Sequence, residues 1–346
     1  SFLTFRLSYL FVTLVVMLAD GLQGTHLYVL YEGYGFSVAS LYCLGFITGA
    51  FTAPITGPLI DRFGRKKSAL LYCALEVGIN MLEQFPFLSG LIVSRIVGGI
   101  TTNLLSTVFE AWLDTEYRNR GFAKEEYETL MRDSVVVSNL AAIASGYLAH
   151  TLAESFGNTG PFQGAVTCTA VAFVVILVLW SENYGKRLGQ QDGEVDENKS
   201  KSPIAQLKET VTFIKSDSRI LRVCITQGLT LGSLHIFIFL WSPLLKEFSA
   251  GCTYGLIFGA YMAAGVLGGL CSSGVRKIVT KILSPLTKGS YTFSVALFSF
   301  IAYEFSVGIY SPCEGVMRSI YIPPESRGSI MTVPSIIVNV AVAIAV

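Results

Sequence analysis

Asp20, Gln23 and His26 recur every three residues along an otherwise apolar run, so a carboxylate and an amide share one helix face, with an imidazole further on. A charge at the centre of a membrane-spanning helix costs about 2.5–3.5 kcal/mol on insertion scales, so each such group asks for a task or a partner. Asp20 therefore reads either as part of a polar path between helices or as a packing carboxylate bonded to a neighbour. Arg95 stands early in another apolar run. Its planar, permanently charged fork suits an oxyanion, with a structural ion pair as the alternative. Glu110, towards the far end of the same run, is placed to pair with a cation across a bundle, and Trp112 beside it reads as an interfacial anchor. Glu76 and Asn80 lie inside a third run, whereas Glu83 and Gln84 at its end read as solvated. His235 lies alone among apolar residues, where a path residue and a packing residue look alike, and Glu304 and Glu314 are further candidates.

Enzyme chemistry has no foothold. The chain contains no Gly-x-x-x-x-Gly-Lys-Ser/Thr loop, no His-Glu-x-x-His and no paired Cys/His spacing. Its seven cysteines are scattered, mostly within apolar runs, and read as small buried apolar residues. No enzyme activity, metal or cofactor is expected, and no nucleic-acid partner, because acids and bases nearly balance in the one polar segment.

The elements that must position these groups are membrane spans. Of 346 residues 52% are hydrophobic and 14% charged, against about 25% charged in soluble proteins. Apolar runs long enough to cross a bilayer fall near 7–30, 38–60, 68–86, 88–112, 134–153, 162–180, 220–245, 254–275, 291–312 and 329–346. Basic residues crowd the connections after the second, fourth, sixth and eighth runs, while the turns at 31–37, 84–90, 151–161 and 243–252 hold one cation, Lys246. The positive-inside rule then puts the basic ends, including the long connection 181–219, in the cytosol. Residues 189–202 are too polar to pack and read as disordered. Ile204, Leu207, Val211 and Ile214 give residues 203–216 the spacing of a short surface helix. The organisation expected is a six-helix bundle at 1–184, a cytosolic linker at 185–216 and a second bundle at 217–346. The chain starts without Met and stops inside an apolar run at Val346, which reads as a piece of a longer protein.

Between the second and third runs lies Gly57-Pro-Leu-Ile-Asp-Arg-Phe-Gly-Arg-Lys-Lys67, a turn too densely charged for hydrocarbon. Gly57, Arg65 and Lys66 return as Gly268, Arg276 and Lys277, and Gly45-x-x-x-Gly49 returns as Gly255-x-x-x-Gly259. A shared offset across the linker indicates a duplicated unit. The turn resembles the signature loop of the major facilitator superfamily, matched at Gly57, Leu59, Asp61, Arg62, Gly64, Arg65 and Lys66. That resemblance implies an all-α membrane protein with two pseudo-symmetric transmembrane helix bundles. The C-terminal half is expected to be incomplete, because residues 277–288 are too polar to supply the ninth span and the twelfth lies past Val346. The Arg95-x-x-x-Gly99 spacing resembles a second superfamily pattern, whose arginine faces the cavity.

Leu18-Ala-Asp-Gly-Leu-Gln23, Leu27-Tyr-Val-Leu-Tyr31, Val108-Phe-Glu-Ala-Trp112, Glu182-Asn-Tyr184 and Phe239-Leu-Trp-Ser-Pro243 resemble the molybdate-anion transporter branch of that superfamily. The resemblance implies a multi-pass carrier of the cell membrane. Its expected partners are the lipid bilayer, molybdate or a similar oxyanion, and a coupling proton. A transport-dead receptor or scaffold of the same fold, and a carrier of a sugar or other neutral solute, stand as alternatives. The expected substrate path is Asp20, Gln23, His26, Arg95, Glu110 and His235. The expected latch is Gly57, Asp61, Arg62, Gly64, Arg65 and Lys66 meeting a helix start near Ser326. In it Arg65 holds Asp61, and Asp61→Asn leaves folding nearly intact.

Overall fold

A computed structural model describes residues 2–184 and 203–218, together with positions 220–221, 224–225, 228, 261–267, 306–307, 315, 318–319, 322, 330–331, 334–336 and 338–339. Seven helices lie among them: α1 Phe2–Gly33, α2 Val38–Phe63, α3 Arg65–Leu82, α4 Leu88–Asn119, α5 Lys124–Phe156, α6 Gly160–Leu179 and α7 Pro203–Ser216. The linker 185–202, the 277–297 region, His235, Glu304, Glu314 and Ser326 lie outside the described residues.

The burial pattern is that of a protein dissolved in lipid. Ile47, Phe51, Ile55, Leu59 and Phe63 follow one another four apart along the exposed face of α2, and Leu3, Leu7, Phe11 and Leu14 recur three or four apart on α1. Asp61, Arg65, Glu76, Asn80, Glu83, Ser94, Asn103 and Asp114 are buried instead. Hydrocarbon cannot satisfy polar groups, so they turn inward and pair. Among the described residues, five helices are long and apolar enough to cross a membrane: α1, α2, α4, α5 and α6. The sixth, α3, has 18 residues, about 27 Å at 1.5 Å per residue. It tolerates Glu76, Asn80 and Glu83 because it packs between α4 and α6.

Helix contacts follow the small residues. Gly99 of α4 lies so close to α2 that a Cβ there would stand 2.5 Å from the Gly45 carbonyl oxygen and 2.7 Å from the Gly49 nitrogen. Asn103, one turn on, donates to the Gly49 carbonyl at 2.8 Å. The Gly45-x-x-x-Gly49 pair is thus a close-approach site for α4. The main apolar core joins Tyr9, Val12 and Val16 of α1, Tyr72 of α3, Val108 and Trp112 of α4, Leu130 of α5 and Ile176 of α6.

Two helices run further than hydropathy suggests. α4 extends to Asn119 and α5 starts at Lys124, because Asp114–Arg118 and Glu116–Arg120 form ion pairs four residues apart that carry α4 beyond its apolar part. Glu126 accepts a hydrogen bond from the Ala123 amide at 2.8 Å and fastens the start of α5. α7 matches the spacing-based expectation and packs against α2.

Candidate functional site

Four positions each of α1, α4 and α5 recur at helical spacing and turn to one space. They are Tyr9, Thr13, Val16 and Met17; Leu105, Ser106, Phe109 and Glu110; Met131, Ser134, Val135 and Ser138. With Arg318 from the second half they line a half-open cavity of about 200 Å³. Arg318 grips Glu110 through two parallel bonds, Nε to Oε1 at 2.8 Å and Nη2 to Oε2 at 2.6 Å. Both side chains are largely buried, so the pair is charge-assisted and bidentate in a low-dielectric wall. The hydroxyls of Thr13, Ser106, Ser134 and Ser138 donate to carbonyls of their own helices, at 2.8–3.1 Å. Hydroxyl donors rotate, so each can turn to a guest. One turn along α4, Asp114 accepts from Ser319 Oγ at 2.8 Å, so the two halves of the chain meet at the basic end of the bundle.

The signature turn is built into that same end. Arg65 is fully buried and donates to Asp61 Oδ1 at 2.9 Å and to the Ala111 carbonyl at 3.0 Å, with Thr115 also against it. Gly64, between α2 and α3, has φ +106° and carries no capping side chain. The cap comes from elsewhere: Glu182, just past α6, accepts from the Lys66 amide at 2.9 Å and the Lys67 amide at 3.2 Å. A Cβ on Gly64 would stand 2.6 Å from that carboxylate, so glycine is required there both for its backbone angle and for space. Lys66 reaches back to the Leu177 carbonyl in the last turn of α6 at 2.9 Å, while Arg62 and Lys67 are exposed. Gly57 is buried.

Trp112 is only 2% exposed and donates to the Ser181 carbonyl at 2.8 Å. It is a core residue rather than an interfacial anchor, since an indole this enclosed has no access to headgroups. Two residues apart on a helix, Glu110 and Trp112 point to opposite sides. One faces the cavity and the other fastens the segment 180–184.

The remaining expected path residues lie nearer the opposite end. Gln23 donates to Glu76 Oε2 at 3.2 Å, and Asn80 donates to the Glu76 carbonyl at 2.8 Å. Asp20 is exposed on α1 and within electrostatic reach of Glu76. His26 is half-buried beside Thr25. Glu83, expected to be solvated, is fully buried. It is enclosed by Tyr31 at 3.1 Å, Ser94 at 3.1 Å and the Arg95 guanidinium, which also covers the Tyr31 ring. Arg95 lies 15 residues before Glu110, about 22 Å along α4. The structure thus brings Gln23 towards Glu76 and Asp20, and holds Arg95 in an ion pair away from the Glu110 cavity.

Sequence reasoning did not single out Arg318, Ser319 or Glu182 for the site. Only the expectation of a cation opposite Glu110 pointed towards the first of them.

Such a bundle, apolar outside and ion-paired within, is a multi-pass membrane protein. Among solved structures it resembles the human organic anion transporter TETRAN, with TM-score 0.65 and 14% identity over 98% of this chain and 90% of that one. It also resembles a bacterial homologue of the iron transporter ferroportin in an outward-facing state, with TM-score 0.69 and 14% identity over 98% and 90%. These likenesses define the major facilitator fold, two bundles of membrane-spanning helices. Residues 1–318 match the major facilitator family described as sugar transporters with 12 transmembrane segments, and the chain belongs to that family. Curated relatives include the molybdate-anion transporter of Takifugu rubripes, 27% identical over 96% of this chain and 76% of that protein. The molybdate-anion transporter of Xenopus tropicalis is 28% identical over 89% and 71%.

Proposed function

We propose that this protein is a secondary transporter that carries a tetrahedral oxyanion, molybdate first among them, by alternating access between its two helix bundles. The observation that carries this reading is Arg318, whose planar fork already holds a bidentate carboxylate in the wall of a cavity supplied with hydroxyls. Oxyanions and carboxylates offer such a fork the same paired acceptors. Relatives that bear the name molybdate-anion transporter support the choice of anion. The basic end, with the Asp61–Arg65 pair and the linker, faces the cytosol of a cell-membrane protein under the positive-inside rule. The junction of Glu110 and Asp114 with Arg318 and Ser319 lies at that end and must part for the cavity to open there.

Molybdate uptake into cells expressing the full-length protein tests this. Uptake should exceed a vector control, and Arg318→Lys should lower it by about tenfold or more, because a point charge lacks the fork. Uptake no greater than the control overturns the proposal. The family's description as sugar transporters favours a neutral cargo as second reading. Accumulation of a labelled sugar that survives Arg318→Ala would establish it.

A further inference from the structure

We propose that Glu76, Gln23, Asn80 and Thr101 form a binding site for a sodium ion, which ties α1, α3 and α4 together away from the Glu110 cavity. The site goes beyond the oxyanion reading above and does not depend on it. Thr101 lies nine residues before Glu110, about 14 Å along α4.

Three helices bring oxygen-bearing side chains to one carboxylate. Glu76 of α3 is 6% exposed, and Asn80 of α3 and Thr101 of α4 are 1% exposed. Gln23 of α1 is half-buried and holds its carboxamide nitrogen 3.2 Å from Glu76 Oε2. Asn80 holds its own nitrogen 3.5 Å from the same oxygen. The Thr101 hydroxyl is hydrogen-bonded with this carboxylate too. Gln23 Oε1 and Asn80 Oδ1 are buried and have no hydrogen-bond partner among the described residues. Unmatched buried oxygens are costly, and here two of them stand beside a buried anion. A cation satisfies all three at once.

The spacing suits one ion. A half-turn of each carboxamide exchanges its nitrogen and oxygen at nearly fixed positions, which puts two amide oxygens 3.2 Å and 3.5 Å from Glu76 Oε2. Oxygens bound to a hard cation at about 2.3–2.6 Å lie roughly 3.3–3.7 Å apart when adjacent in an octahedron. The half-turns give up the Gln23 bond to the carboxylate and the Asn80 bond to the Glu76 carbonyl, and ion–oxygen contacts replace them.

Charge and donor type select the ion. Arg95 is in electrostatic reach of Glu76 but is held by Glu83. Among the described residues no salt bridge reaches Glu76 itself. One buried carboxylate among neutral oxygens matches a single positive charge. Asp20, one turn before Gln23, is exposed and adds its field from the rim. A carboxylate does not stay exposed to hydrocarbon, so that side of α1 opens to water and gives the ion an entry. Among the described residues no three His, Cys, Asp or Glu side chains gather around a metal position. Neutral amide and hydroxyl oxygens do not select a transition metal. Cysteine and histidine spacing in the sequence is silent on such a site.

The test is binding of radioactive sodium to the purified full-length protein, in choline chloride and without molybdate, so that the oxyanion reading does not enter. Wild-type protein should bind sodium saturably. Its melting temperature should rise with sodium chloride and not with choline chloride of the same ionic strength. Glu76→Gln should abolish the saturable binding. Gln23→Ala should weaken it at least about tenfold, since even outer-shell losses cost about 10–100-fold in metal affinity. Absence of saturable binding by the wild type overturns the proposal, and so does equal binding by both variants. Displacement by calcium at lower concentrations than by sodium overturns the choice of a monovalent ion. A carboxylic-acid infrared band in the sodium-loaded wild type that Glu76→Gln removes also overturns it, because a protonated Glu76 offers the ion no charge. Gln23 stands at the half-buried edge, so its variant keeps the site testable where Glu76→Gln fails to fold.

Discussion

Trp112 and Trp180 lie face to face, with ring centroids 3.8 Å apart and planes 8° from parallel. Through this stack and the Trp112 bond to the Ser181 carbonyl, the end of α6 is fastened to α4. Trp180→Ala should destabilise the protein by about 3–5 kcal/mol, as large-to-small changes in a packed core do. Leu179→Ala next to it, on an exposed face, should change little. Melting temperatures in one detergent, compared between the two variants, check the contrast.

Glu182 caps α3 across 116 positions of sequence. Its replacement by Ala should cost about 0.5–2 kcal/mol, the range for losing an N-cap. Amide hydrogen exchange at Lys66 and Lys67 should quicken while the middle of α3 stays protected. Gly64→Ala should cost more than Glu182→Ala, since its Cβ meets the capping carboxylate at 2.6 Å. The double variant should recover part of the loss, and two strictly additive losses would contradict the clash.

Glu83 and Arg95 give a prediction in which stability and transport separate. Removing one partner of a buried ion pair typically costs about 3–5 kcal/mol, because the other charge stays buried. Arg95→Ala and Glu83→Gln should both lower the melting temperature, and uptake per folded molecule should change much less. An Arg95→Ala protein with normal melting and no uptake would assign Arg95 to the substrate path instead.

Asp61 and Arg65 repeat that logic at the basic end. Arg65 is wholly enclosed, so Asp61→Asn should cost several kcal/mol, on the order of the 3–5 found for broken buried pairs. The loss of folding is larger than the sequence alone suggests. A melting temperature unchanged by Asp61→Asn would show that the pair contributes little. Faster labelling of a cysteine placed at Ser134 from the basic end, in molecules that do fold, would support the latch.

Much of this arrangement was legible beforehand, and the exceptions share a cause. Asp61 and Arg65 stand four apart around a turn, so their pairing follows from local geometry. α7 is equally local. Arg318 is 208 positions from Glu110, and nothing near either residue in sequence brings them together. Glu83 looked solvated because it ends a helix, and nothing nearby in sequence reveals that Tyr31 and Ser94 close over it. Trp112 near a membrane surface looked like an anchor until Trp180 was placed on it. What a linear reading lacks in each case is a partner from another helix. The wall of the Glu110 cavity is the extreme case, assembled from three helices and a distant arginine.

The cap on α3 also has a temporal side. When the Gly64 turn leaves the ribosome, the Lys66 and Lys67 amides that follow it have no carboxylate to meet. Glu182 is made only after three more spanning helices. At typical rates of about 5–20 residues per second, that leaves α3 uncapped for roughly 6–23 s. The first bundle therefore closes as its last residues are synthesised, before most of the second half exists. The Glu182 contact marks completion of one folding unit, and a nascent chain arrested just before it should be far easier to extract and digest than one arrested just after.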